Sequence, residues 1–367
     1  MGDGEVMNSP RIIVKAPGRI CLFGEHLDYL GLFVISTAID LHITVSGSLR
    51  GDKLLHIVMP DLQEEERIDL TKPIEYQRRR DYLRSAVKVL QRNGVTFDHG
   101  CDCTLTGNIP IQAGVSSSSA FVIAWIAFLL SMTSRSGVKD RELLAQLGYE
   151  AEVKEFNEPG GMMDHYTSSL GGVLWLDCQE PFHAERIHAD LSGFVLGDSL
   201  EKKQTTQVLS SVRERVQAGI KQLKHSIPSF DFRHVTLREV EPCLGGLSED
   251  IRRKVRSTLM DRDLALEARD LLKSWSKHSE VHLGGLLTRH HQELRDGLGI
   301  STPKIDRMIE AAMKNGALGC KINGSGGGGC MFAYAPGCEQ RAAEAIRSQG
   351  GKAHIVSVSD GVQVRVE

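Results

Sequence analysis

The chain has 367 residues, 41% of them hydrophobic and 25% charged, with a formal charge of −3. That mass suits two globular domains with sizeable cores, and a balance near neutrality gives no support for a nucleic-acid or membrane-surface partner. Eight cysteines are scattered without a C-x-x-C pair, so reduced thiols in a cytoplasmic protein are expected. The longest apolar run, residues 120–130, is about half of what a bilayer crossing needs. Met1-Gly2 opens the chain, but position 6 is Val where a myristoylation signal wants Ser or Thr. The basic run 78–80 lies near the acidic run 64–66, and both read as solvated surface.

In chain order, residues 1–10 read as a disordered lead-in, and Arg11 to Ala16 alternates like a strand that Pro17-Gly18 breaks. Glu25, His26 and Asp28 then crowd four positions between Gly24 and Gly31. Two carboxylates and an imidazole so grouped suit a ligand with several hydroxyls, or a polar turn between strands. Strands are expected over 34–39 and 41–46, an amphipathic helix over 82–94, and a strand over 103–109 ending at Pro110. Next come Gly114-Val115-Ser116-Ser117-Ser118-Ser119 and an apolar run that can only be a buried helix. A strand, a small-residue turn and a helix N-terminus make an anion site. Four serine hydroxyls exceed what N-capping needs and could bind phosphate oxygens or magnesium. No Walker-type G-x-x-x-x-G-K-[ST] is present.

A second helix is expected over 141–156, with Glu152 and Glu155 near its end. Gly160-Gly161-Met162-Met163 then precedes Asp164, which is either an N-cap or a chemically used acid. Strands are expected over 172–177 and 193–198, with a turn-rich connection between them and a domain boundary that divides 1–195 from 196–367. The second part reads as helical over 206–223, as shorter segments over 248–275, and as a helix carrying Leu283, Leu287, His290 and Leu294 on one stripe. His290 and His291 are adjacent, face different directions and make a poor metal pair. Thr302-Pro303 opens a further helix, and a helix over 338–349 and two strands close the chain.

The segment from Lys321 to Met331 holds five glycines among eleven residues, between strand-like flanks. A linker would not sit inside a folded layer, so a loop that brings backbone close to a charged ligand is the better reading. Its Gly324, Gly326 and Gly329 fit G-x-G-x-x-G, but that dinucleotide fingerprint needs a helix directly afterwards, and here a strand follows.

Together these loops resemble the GHMP small-molecule kinases, and the galactokinase branch most closely. The resemblance rests on APGRICLFGEHLDYLG at 16–31, PIQAGVSSSSA at 110–120, GGMMDH at 160–165 and KINGSGGGGC at 321–330. It implies an α+β, two-domain fold, ribosomal-protein-S5-like in the N-terminal domain and ferredoxin-like in the C-terminal one. It also implies transfer of the ATP γ-phosphoryl group to a monosaccharide hydroxyl, most often the anomeric one, by a monomer or homodimer. Arg19 and Asp164 match the family's catalytic pair, and Glu25, His26, Asp28 and the backbone of Gly161 match its sugar contacts. Gly114, Val115, Ser116, Ser117, Ser118 and Ser119 match the phosphate cradle. Ser118 (with Ser117 as the alternative) and Glu152 match the Mg2+ ligands, and Gly326 and Gly327 belong to the third motif, which closes on the phosphates.

The chain departs from the galactokinase pattern at Cys21, Ser119, Pro159 and His165, where Asn, Ala, Cys and Gln are usual. It also has no Tyr between 199 and 215 to place against a sugar ring. A mevalonate-type kinase and a non-catalytic sugar sensor are the alternative readings. Glu25, His26 and Asp28 favour a polyol acceptor, and the retained Arg19, Asp164 and serine loop favour an enzyme.

Overall fold

The computed structural model describes residues 10–110, 114–133, 139–202 and 205–367. The expected lead-in therefore lies, except for Pro10, outside the described residues, as do residues 111–113 of the serine-loop motif. In chain order the first elements are β1 (Arg11–Phe23), β2 (Phe33–Leu49), β3 (Leu54–Met59), β4 (Glu64–Asp69), α1 (Tyr82–Arg92), β5 (Cys101–Gly107), α2 (Ser117–Ser131), α3 (Arg141–Tyr149), α4 (Met163–Leu170), β6 (Val173–Asp177) and β7 (His183–Ile187). There follow β8 (Phe194–Asp198), α5 (Thr205–Ser226), α6 (Leu237–Val240), α7 (Glu249–Lys273), α8 (Glu280–Gln292), α9 (Pro303–Lys314), β9 (Gly319–Ile322), β10 (Cys330–Tyr334), α10 (Glu339–Ser348), β11 (Lys352–Val356) and β12 (Gln363–Val366).

The strands form two sheets. The larger runs β12-β1-β2-β5-β3-β4, with β6 and β7 added along the other half of β2. Among the described residues, only β3 and β5 pair in parallel. The smaller sheet, β11-β8-β10-β9, is antiparallel throughout. With α9 before β9 and α10 between β10 and β11, its outer order follows the split β-α-β pattern of ferredoxin-like domains. The expected division at 195/196 falls inside β8, a strand of the smaller sheet, while β12 returns to the larger one.

Helix α2 is apolar all round, as a helix enclosed by other elements must be. It packs on β1 and β2 and is flanked by α1, α3 and α4, with Trp125 and Phe128 stacked 5.9 Å apart at its centre. Both rings are fully buried. Among the described residues, no helix is long and apolar enough to cross a membrane.

Several elements run longer than their local signals. Pro17-Gly18 does not end β1. The strand shifts register there and continues to Phe23, because Arg19 N–H leaves the sheet and donates to Val115 O at 3.2 Å. The two short strands expected after Gly31 are one strand, β2. β7 fills what read as a turn-rich connection. The segments expected over 248–275 are one helix, α7, whose apolar period is interrupted by the buried Lys254, Asp261 and Arg262. Arg262 is held there by the carbonyls of Phe232 and Val235.

Since α2 is the hub of the larger core, Phe128→Ala should cost about 3–5 kcal/mol. Chemical denaturation followed by circular dichroism would read the loss as a lower unfolding midpoint.

Candidate active site

The bulge in β1 brings its backbone against the serine loop. A Cβ on Gly18 would lie 2.8 Å from Val115 O, so only glycine permits that approach. Arg19 emerges at this point, 4% exposed. Its Nε donates to Asp164 Oδ1 at 2.7 Å and its Nη1 to Gly114 O at 2.6 Å. Asp164 is not the N-cap of α4, which is Met162, but stands in the first helical turn. Burial, the largest single influence, would raise its pKa, yet the Arg19 charge and hydrogen bonds from Ser116 and Arg19 together hold it below the ordinary carboxylate value. Asp164 is therefore an ionised acceptor beside a fixed cation.

Ser116 takes a left-handed backbone (φ 61°) as the residue before α2 and makes no side-chain cap. Its Oγ is buried and helps to lower the pKa of Asp164. Helix geometry leaves the first N–H groups of α2 without intrahelical acceptors. Gly114 and Ser116 through Ser119 line one cavity of about 520 Å³, together with Arg19 and Asp164. Val115 is buried and supplies the carbonyl that receives Arg19 N–H.

Glu25, His26, Asp28 and Gly161 line the same cavity, with differing commitments. Glu25 is 1% exposed and paired with the fully buried Lys321 ammonium, which also donates to Cys21 O at 2.9 Å. His26 Nε2 lies 3.0 Å from Ser325 O and Nδ1 lies 2.8 Å from Tyr29 Oη. In the neutral ring Nε2–H therefore donates to the carbonyl, and Nδ1 accepts from the phenol. Glu25 and His26 thus bind the β1–β2 turn to the glycine loop. Asp28 accepts from Tyr29 N–H at 2.9 Å and lies so close to Gly161 that any Cβ there would collide with its carboxylate. Burial, then the nearby Asp164 charge, raises the Asp28 pKa to about 6.

Glu152 stands on a π-helical turn, Glu150–Lys154, that follows α3. It faces the cavity, and His165 Nε2 meets its Oε2 at 2.7 Å. No cluster of three or more His, Cys, Asp or Glu side chains suited to a metal occurs among the described residues. A single carboxylate with serine hydroxyls in the same cavity fits Mg2+, which retains waters and takes its remaining ligands from phosphates.

In the glycine loop, Gly324 and Ser325 line the cavity, and Gly326 and Gly327 do not. Gly326 packs against Ile300 and Gly327 against Val208. Gly324 and Gly326 to Gly329 all have positive φ. The strand entering the loop contributes side chains that loop composition alone did not reveal. Asn323 Oδ1 accepts from Cys21 N–H and its Nδ2 donates to Gly114 O, each at 2.8 Å. This one residue joins the first, second and third motifs. Sequence reasoning also missed an apolar lobe of the cavity, made by Met59, Leu62, Leu105, Ile109 and Phe121. These residues come from separate elements and share no local pattern.

The sequence profile described as "GHMP kinases N terminal domain" matches residues 81–172, and "GHMP kinases C terminal" matches 269–352. The "Galactokinase galactose-binding signature" matches residues 5–49. A galactokinase of Mannheimia succiniciproducens is 29% identical over 340 residues, covering 88% of this chain and 85% of that protein. One from Haemophilus influenzae Rd is 28% identical over 345 residues, covering 90% and 86%. Among solved structures, Lactococcus lactis galactokinase complexed with galactose superposes with a TM-score of 0.82 at 20% identity, over 99% of this chain and 96% of that one. The Methanococcus jannaschii mevalonate kinase gives 0.72 at 20% identity, over 95% and 98%. The chain belongs to the GHMP kinases and has their two-domain fold. Within them it falls in the galactokinase-like branch.

Removing one member of a fully buried ion pair leaves an uncompensated charge, so Lys321→Met should destabilise the fold by about 3–5 kcal/mol. The double variant Lys321→Met, Glu25→Gln should recover much of that loss in a denaturant titration. Equal stability of single and double variants would show that the pair is not coupled.

Proposed function

We propose that this protein is an ATP-dependent sugar kinase that transfers the γ-phosphoryl group to a monosaccharide hydroxyl, with the anomeric hydroxyl of galactose or a close relative as acceptor. The observation that carries this reading is the Arg19–Asp164 pair, tied to Gly114 O where the three motif loops meet. Phosphoryl transfer depends on positioning and charge stabilisation more than on covalent participation by the protein.

In this reading Asp28 and the Gly161 backbone orient the acceptor, since Glu25 and His26 are already engaged in holding the turn. Asp164, kept ionised by Arg19, accepts a hydrogen bond from the attacking hydroxyl and takes its proton. Arg19 also faces the charge that develops on the transferring group. The serine loop and the start of α2 receive the nucleotide phosphates through N–H groups and hydroxyls, and the apolar lobe receives the base. Glu152 and Ser118 would hold Mg2+, which neutralises phosphate charge when bound.

Purified protein given Mg-ATP should release ADP with galactose or a related hexose, and no turnover across hexoses, pentoses, uronic acids and mevalonate would remove the enzyme reading. Asp164→Asn should lower kcat by several orders of magnitude while sugar binding, followed by calorimetry, stays within a few fold. The pH dependence has a definite sign. Below about pH 6 Asp28 gains a proton and becomes a weaker acceptor for a sugar hydroxyl. The apparent KM for sugar should therefore rise as pH falls from 7 to 5, and Asp28→Asn should flatten that limb while raising KM throughout.

A further inference from the structure

Asp164 and His165 are consecutive in the first turn of α4, so their side chains leave the helix about 100° apart. Asp164 meets Arg19 at the cavity, whereas His165, which also borders the cavity, is 1% exposed and packs toward α3. Its ring stands edge-on to Tyr149 with centroids 5.8 Å apart, and a Cβ on Gly148 would lie 3.2 Å from its Cδ2. The ring is thus wedged between α3 and α4, and its Nε2 lies 2.7 Å from Glu152 Oε2. Its Nδ1 is buried without an acceptor, so a proton there would be orphaned. The ring is accordingly an Nε2–H donor, and it is not available as a metal ligand.

Glu152 stands on a π turn, a local departure from α-helix that recurs at functional sites. One carboxylate oxygen is taken by His165. The other has no hydrogen-bond partner among the described residues, while the side chain faces the cavity that holds the serine loop. We propose that His165 is a positioning residue that fixes Glu152 for the divalent cation accompanying the nucleotide, so that one turn of α4 sets both the proton acceptor and the metal-binding carboxylate. This rests on the reading of Glu152 as a metal ligand. Mg2+ demands near-ideal octahedral geometry, and partners that orient a ligand typically govern metal affinity by about 10- to 100-fold. Where galactokinases carry Gln, an amide N–H could make the same donation, so His165 is a different donor for the same task.

The test uses the full chain with saturating ADP and Mn2+ as the probe, following free Mn2+ by its electron paramagnetic resonance signal. His165→Phe keeps an aromatic ring and loses the donor. It should weaken Mn2+ binding about 10- to 100-fold and raise the metal concentration for half-maximal turnover in parallel, with sugar KM unchanged within about twofold. His165→Gln should restore affinity to near wild type, which a purely space-filling role would not achieve. Should the Phe variant not fold, His165→Met, of similar reach and without a donor, is read in the same way. Unchanged Mn2+ affinity in the non-donor variant, while Glu152→Gln weakens it, overturns the role of His165 alone. Unchanged affinity in Glu152→Gln removes Glu152 from the metal site and overturns the inference together with the reading beneath it.

Discussion

The site depends first on the burial of the Lys321 ammonium. A fully desolvated cation is tolerated only beside an opposite charge and with its hydrogens satisfied, and Glu25 and the Cys21 carbonyl meet that demand from the other sheet. Asp261 and His290 lie behind the pair, also fully buried, with His290 Nε2 3.5 Å from Asp261 Oδ1 and 3.8 Å from Glu25 Oε2. Burial, followed by the Glu293 charge, pushes the Asp261 pKa well up. Burial, followed by the Lys321 charge, pushes the His290 pKa well down. Both shifts favour the uncharged form, and Lys321–Glu25 is the ion pair at the centre of this group. Strand β9 is thereby pinned to the turn after β1, and Asn323 extends the joint to Gly114.

With that joint in place, the Arg19–Asp164 pair needs little further support. Arg19 is aimed from two sides, by Asp164 and by Gly114 O, and its backbone is held by Val115 O. Such preorganisation keeps charge at fixed positions instead of leaving it to solvent reorganisation during the reaction. The left-handed residues Gly24, His26, Gly114 and Ser116 border the same cavity or stand next to it. For His26 and Ser116, which bear side chains, such a backbone is uncommon and is held by the surrounding structure.

What could be read from the sequence depended on whether the signal was local. Helix α9 was legible because Thr302 caps Ile305 N–H and Pro303 occupies the first turn, and α2 because an unbroken apolar run after small residues has few other fates. Arg19 and Asp164, 145 positions apart, share no pattern that composition or periodicity could connect. Only their place in family motifs brought them together, and the geometry gives the physical reason. Helix α7 was fragmented in the reading because Lys254, Asp261 and Arg262 are buried although charged, Asp261 beside His290 and Arg262 against the carbonyls of Phe232 and Val235. The commitment of Glu25 to Lys321 was likewise hidden, because the partners are 296 positions apart, and that of His165 to Glu152 because the two stand on different helical segments with no shared period. Gly326 and Gly327 were placed at the phosphates by motif alone, whereas their surroundings are Ile300 and Val208.

Strand β12 pairs with β1 from Ile12↔Val366 to Lys15↔Gln363, and the bonds between Arg11 and Glu367 close the ladder. The strand that delivers Arg19 is therefore an edge strand until residues 363–367 have been made. During synthesis the larger sheet can assemble its other strands while this edge stays open, and an open edge is a template for pairing with other chains. Completion of the strand that carries Arg19 is thus coupled to the emergence of β12 from the ribosome. A nascent chain stalled before that point would present β1 as an adhesive surface.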